Sequence, residues 1–189
     1  MPRARHGRVG KPAAIGRTGF TLVELLLAVA IAGTLGMMAV PAFRDWLGAY
    51  QLANHAKHMA EAMSRARTEA VRRGHRVNLC PSPNRVRCAE GMGWDTGFVV
   101  FVDINGDGQV DDGEPVLGID GPAPPGITVQ ANRPLGEYVS YTSIGHARML
   151  NGALQMGTFT VCRSRYNALQ VVLASSGRVR VEKTGARCP

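Results

Sequence analysis

Between residues 20 and 40 the chain reads FTLVELLLAVAIAGTLGMMAV, and Glu24 is its single charged side chain. A helix rising about 1.5 Å per residue would carry this run across roughly 30 Å of hydrocarbon. The pattern therefore predicts a membrane span. A carboxylate inside such a span costs about 2.5 to 3.5 kcal/mol at the centre and less near the end. Glu24 must then sit at the headgroup boundary or meet a partner. Beyond Pro41 the apolar positions Phe43, Trp46, Tyr50, Ala53, Ala56, Met59, Met63, Ala66 and Ala70 recur every three or four residues. Arg44, Asp45, Lys57, Glu61, Arg65, Glu69 and Arg72 occupy the other face. This period predicts one helix from about Thr21 to Arg73 whose amphipathic second half packs on a sheet. Gly74 is placed to stop it.

After Arg76 the period shortens. Val77–Leu79, Gly97–Val102, Gly126–Gln130, Tyr138–Thr142, Gly157–Cys162, Ala168–Ala174 and Arg178–Lys183 read as short strands separated by Gly, Pro and Asn. Residues 81–93 and 121–125 read as surface loops. The expected class is α+β: a long N-terminal helix, transmembrane in its first half, packed on an antiparallel β-rich head. The divisions are 1–19, 20–40, 41–74 and 75–189.

Charge changes the picture at the N-terminus. The formal charge of +8 includes Arg3, Arg5, Arg8, Lys11 and Arg17, with no acid in residues 1–19, so the remainder is only mildly basic at +3. Basic residues before an apolar span keep the N-terminus cytoplasmic and send the C-terminal domain across the membrane. All four cysteines, Cys80, Cys88, Cys162 and Cys188, would then reach an oxidising compartment, where an even count favours disulfides. Three pairings are open; the expected one joins Cys80 to Cys88 and Cys162 to Cys188. Neither pair has the spacing of a zinc or redox motif.

Gly19 followed by Phe20-Thr21-Leu22-Val23-Glu24 resembles the processing site of type IV prepilins and type II secretion pseudopilins. The resemblance implies that a prepilin peptidase cuts after Gly19 and that Phe20 becomes the N-methylated first residue. It also implies that Glu24 compensates the charged N-terminus of a neighbouring pilin in the filament, and that Pro41 bends or melts the helix. Ser64-Arg65-Ala66-Arg67-Thr68-Glu69-Ala70, WDTGFVVFVD from Trp94 to Asp103, Gly157–Cys162 and Ser176-Gly177-Arg178-Val179-Arg180 narrow it to the GspH/FimT branch. The fold implied is pilin-like, anchored in the inner membrane with a periplasmic head and later displayed on a pilus.

Gly177-Arg178-Val179-Arg180 resembles the GRxR element through which FimT-type minor pilins bind DNA in natural transformation. In a strand, Arg178 and Arg180 would share a face while Val179 and Val181 turn to the core. Lys183, Arg187, Arg163 and Arg165 would extend a basic rim able to grip phosphates without reading bases. An ordinary solvated hairpin strand is the competing reading. Asp103-Ile104-Asn105-Gly106-Asp107-Gly108, continuing through Asp111 to Glu114, satisfies the EF-hand loop pattern, with Asp103, Asn105, Asp107, Asp111 and Glu114 as candidate Ca²⁺ ligands. A strand-like segment precedes it and Pro115 follows, so neither flanking helix is expected. A solvated acidic turn is the simpler reading, and no cofactor is required.

The five histidines, His6, His55, His58, His75 and His146, are scattered, and no nucleophile, base and orienter group is recognisable. The sequence points away from catalysis and toward assembly and binding. Three non-catalytic roles compete: a minor pilin that captures DNA, a filament-priming pilin or GspH-type pseudopilin that does not, and a calcium-dependent structural or adhesive head.

Overall fold

A computed structural model describes residues 19–188. The predicted leader, apart from Gly19, lies outside the described residues. One helix, α1, spans Leu22–Arg73. Thr21 caps it: the Glu24 backbone N–H donates to Thr21 Oγ1 at 3.3 Å. The helix assignment runs unbroken through Pro41, so the local melting expected there is not seen. At the other end Gly74 takes φ +68°, and its N–H donates to the Ala70 carbonyl at 3.0 Å.

The chain divides into two compact units, residues 1–43 and 44–189. In the first, the described side chains are largely exposed, Leu25, Leu26, Leu27 and Val29 among them. Among the described residues α1 is the one helix long and apolar enough to cross a membrane.

The second unit holds two four-stranded antiparallel sheets. β1 (Arg76–Pro81), β2 (Phe98–Asp103), β3 (Val116–Asp120) and β5 (Val139–Tyr141) form one, in the order β3-β2-β1-β5. β4 (Ile127–Ala131), β6 (Gly157–Arg163), β7 (Asn167–Leu173) and β8 (Val179–Arg187) form the other, in the order β4-β6-β7-β8. β3 has no counterpart among the expected strands; Gly118 at its centre interrupts the apolar signal where its backbone lies over Val100.

The main core joins Leu52, Ala56, Met59, Ala62, Met63, Ala66 and Ala70 of α1 to residues of both sheets. Trp94 lies in it, edge-on to Phe159 at 5.0 Å, with its indole N–H donating to the Leu135 carbonyl at 2.8 Å. The expected helix stripe is corrected at its start. Trp46, Tyr50 and Ala53 are exposed, whereas Leu52 and Ala62 are buried. At this level Gly48 faces the second sheet, covered by Tyr166, whose hydroxyl donates to the Asp45 carbonyl at 2.9 Å. Every residue of β2 is buried. Phe98, Val100 and Val102 enter the main core, while Val99 and Phe101 form a smaller cluster with Cys80 on the opposite face, which explains the uninterrupted apolar run FVVFV.

Candidate nucleic-acid interface

The hairpin between β7 and β8 carries the GRVR segment. Its turn closes with Gly177 N–H donating to the Ala174 carbonyl at 2.8 Å and Ala174 N–H donating to the Arg178 carbonyl at 2.9 Å. Gly177 adopts φ +81°, and a Cβ there would lie 2.0 Å from the Gly145 carbonyl oxygen. No residue with a side chain fits without moving backbone. The glycine of the motif is therefore explained by packing alone.

Arg178 is exposed, but it precedes β8 by one residue. Arg180 is exposed within the strand, and its Nε donates to Glu182 Oε1, two residues along on the same face. Its charge is partly neutralised before any ligand arrives. Val179 packs partly against the core, whereas Val181 is 42% exposed. The expectation that both valines face the core is corrected: β8 is an edge strand, and among the described residues no further strand lies beyond it to cover Val181.

Topology also divides the expected rim. Val172 pairs with Arg180 and Asn167 with Arg187, which puts Arg180 and Arg187 toward opposite ends of β8. Arg178 lies opposite Ala174 and Arg187 opposite Asn167, across a register shift in the ladder, so at about 3.3 Å per residue of β7 they stand roughly 23 Å apart. Arg163 and Arg165 flank the β6–β7 turn at the Arg187 end, where Arg163 Nη1 donates to Gln51 Oε1 at 2.5 Å and Arg165 holds φ +77°. Lys183 lies between the ends, beside a groove of 430 Å³ that also borders Trp46, Tyr50 and Tyr166. At the Arg178 end the fold adds a cation that sequence reading missed. Arg67 of α1 donates from Nε to the Gly145 carbonyl at 2.9 Å, against the space that a Gly177 side chain would need. Only the long-range contact between α1 and the hairpin reveals it; nothing in the local sequence does.

Gly19 and Phe20 precede α1 and are exposed, as is Glu24. Thr21 and Glu24 also have the spacing of a helix capping box, in which the bond seen here comes from the Glu24 backbone N–H. The cysteines are bonded as Cys80–Cys88 and Cys162–Cys188.

In the acidic loop, Asp103 is buried and accepts from Gly106 N–H at 2.7 Å, Gly108 N–H at 3.2 Å and Asn78 Nδ2 at 2.6 Å. Asn105 Nδ2 bridges Asp107 and Asp111, and Glu114 accepts from Ile104 N–H at 2.6 Å. All five candidate ligands thus accept hydrogen bonds from within the loop, Asn105 Oδ1 from Asp107 N–H at 3.1 Å, and Asp103 accepts one more from Asn78 of β1. Burial raises the Asp103 carboxyl above the ordinary Asp range, against the opposing effect of its hydrogen bonds.

Elsewhere, His58 Nε2 contacts Asp120 Oδ1 at 2.5 Å. The half-buried His55 is pushed below the ordinary histidine pKa, first by desolvation and then by His58, with Asp120 and Asp95 opposing. No group of three or more His, Cys, Asp or Glu among the described residues is arranged to hold a metal.

The sequence model of the family described as type II transport protein GspH matches residues 55–181. The chain is 37% identical over 98 residues to the pilin-like protein PilA1 of Thermus thermophilus, covering 52% of this chain and 56% of that protein. It is 28% identical over 91 residues to a fimbrial protein of Pseudomonas aeruginosa, covering 48% and 54% respectively. The chain thus spans about half the length of the curated relatives it matches. The crystal structure of the type IV minor pilin FimU from Pseudomonas aeruginosa superposes with a TM-score of 0.52 at 17% identity, over 71% of this chain and 93% of FimU.

Proposed function

The chain belongs to the GspH family, and from that premise we propose that it is a minor type IV pilin whose head captures DNA along β8. In this reading Gly19 is the last leader residue, a prepilin peptidase exposes Phe20 for methylation, and Glu24 pairs with the N-terminus of an adjacent pilin. An ammonium and a carboxylate in low dielectric attract strongly, and either one alone is costly there. The anchor holds the subunit in the inner membrane, N-terminus inside and head outside, until it joins the filament. Its work is assembly and binding, without turnover.

One observation supports the DNA part above the others. Arg178, Lys183 and Arg187 follow one exposed edge strand and its turn, and among the described residues none of the three makes an ion pair. Arg178 lies on one face of β8 and Lys183 and Arg187 on the other, so a strand edge about 23 Å long can reach successive phosphates from both faces without reading sequence. Glu182 works against it by holding Arg180. That opposition is the reason to keep a second reading, a filament-priming pilin or secretion pseudopilin that binds no DNA.

The unit beginning at Arg44 contains the whole core and both disulfides, and it is the material for the test. Its affinity for duplex DNA is measured across a range of salt, beside Arg178→Ala/Arg180→Ala and Glu182→Gln variants checked for folding by circular dichroism. DNA capture predicts weaker binding in the double variant, with a salt slope shallower by about 1.8 for two lost phosphate contacts. It predicts tighter binding in Glu182→Gln. Equal, weak binding by all three proteins would leave the second reading in place.

A further inference from the structure

We propose that β8 is a self-pairing edge through which two copies of this chain join their heads, with Val181 of each copy directly opposite Val181 of the other. β8 is nine residues long and among the described residues pairs only with β7, so its outer edge there carries a row of unpaired backbone groups. The bond from Ala174 N–H to the Arg178 carbonyl fixes which groups these are. It makes Ala174 and Arg178 a hydrogen-bonded pair, so Arg180 and Glu182 also turn their backbone groups to β7. Val179, Val181 and Lys183 turn theirs outward.

Side chains select the occupant. An antiparallel copy centred on Val181 sets Arg180 opposite Glu182 of the second copy and Glu182 opposite its Arg180. Both pairs fall at the closer, non-hydrogen-bonded positions of the new ladder. Val181, which is 42% exposed although its neighbour Val171 is fully buried, gains its own copy as cover. A shift of the pairing by one residue in either direction loses the centring on Val181 and this double match. The segment is therefore complementary to itself in charge, shape and backbone polarity in one register, as a two-fold interface requires. The inference does not rest on the DNA reading. It bears on it, because a paired β8 would occupy Arg180.

The register gives the test, made with the full chain in the membranes of cells producing it and with no DNA added. Val181→Cys places two thiols across a hydrogen-bonded pair with Cα atoms about 5.5 Å apart, within disulfide reach. Mild oxidation should give a covalent dimer on a non-reducing gel. Lys183→Cys is the control: the new thiol of each copy faces Val179 of the other and lies about 13 Å from its equivalent, so it should not crosslink. Adding Arg180→Glu to Val181→Cys sets like charges opposite one another and should cut the yield at least about five-fold. The exchange Arg180→Glu/Glu182→Arg should restore it. Equal crosslinking at positions 181 and 183, or no recovery in the charge exchange, overturns the proposal.

Discussion

Replacing Gly177 with alanine tests whether the GRVR glycine serves the fold or the ligand. The backbone there sits at φ +81°, where an L-residue loses about 1 to 2 kcal/mol. The added Cβ would also lie 2.0 Å from the Gly145 carbonyl oxygen, and that oxygen accepts the Arg67 bond. Relieving a backbone contact of this kind resembles overpacking a core, at about 1 to 3 kcal/mol. We expect a total of about 3 kcal/mol. In a unit of this size that lowers Tm by about 9 °C, taking about 3 °C per kcal/mol. Gly126 supplies the control: its φ is +80°, with nothing within 4 Å of an added Cβ. Gly126→Ala should therefore show the dihedral cost alone, about 1 kcal/mol or about 3 °C. Thermal unfolding followed by circular dichroism compares the two variants with the parent unit. If Gly177→Ala melts with Gly126→Ala, the close approach to Gly145 costs nothing and the packing explanation of the motif glycine fails.

Three further outcomes are expected. The depressed pKa of His55 means that the unfolded chain takes up a proton more readily than the folded one, so this histidine's contribution is fully present above about pH 6.5 and is lost as pH falls through and below that value. Between pH 7.5 and 5.5 the urea midpoint should drop more in the parent unit than in His55→Gln, with His58, Asp120 and Asp95 unchanged; equal drops would refute the assignment. Removing the bond across the 26-residue separation of Cys162 and Cys188 with a double alanine variant should cost about 3 kcal/mol in urea unfolding, and a loss under about 1 kcal/mol would show that β8 is held by pairing alone. A Glu24→Ala chain should be trimmed at its normal site yet be scarce in sheared filaments, and normal abundance there would remove the charge-pairing role.

The long helix was legible because its signals agree: a sustained period near 3.6, Thr21 at one end and Gly74 at the other. Strands such as β2 and β7 were legible through their β-branched runs. β3 was not, since Gly118 dilutes its pattern and it follows an acidic, proline-flanked turn. The exposure of Trp46 and Tyr50 could not be read from periodicity, which reports that a helix has an apolar face but not how far along it a sheet extends. The expected rim is drawn out along β8 for a similar reason. Spacing in sequence puts Arg178 near Arg187, whereas a nine-residue strand holds them at its two ends, and strand order decides that Val181 stands at an edge. Arg67 could be placed beside the hairpin only by tertiary structure.

β2 is a wall shared by two rooms of unequal size. On one side lies the large core under α1; on the other, Val99 and Phe101 meet Cys80 beneath a cover that includes Cys88, Val110 and Tyr138. The cover is fastened by the Cys80–Cys88 bond, and the acidic turn is pinned through the two carboxylate oxygens of Asp103. So small a cluster can open while the large one stays shut. Amide protons of residues 104–114 should exchange in local openings, whereas those of β2 and β1 wait for the whole head to come apart. The head thus carries, on the side of β2 away from the main core, a part that can be remodelled, lengthened or recharged with little consequence for the core under α1.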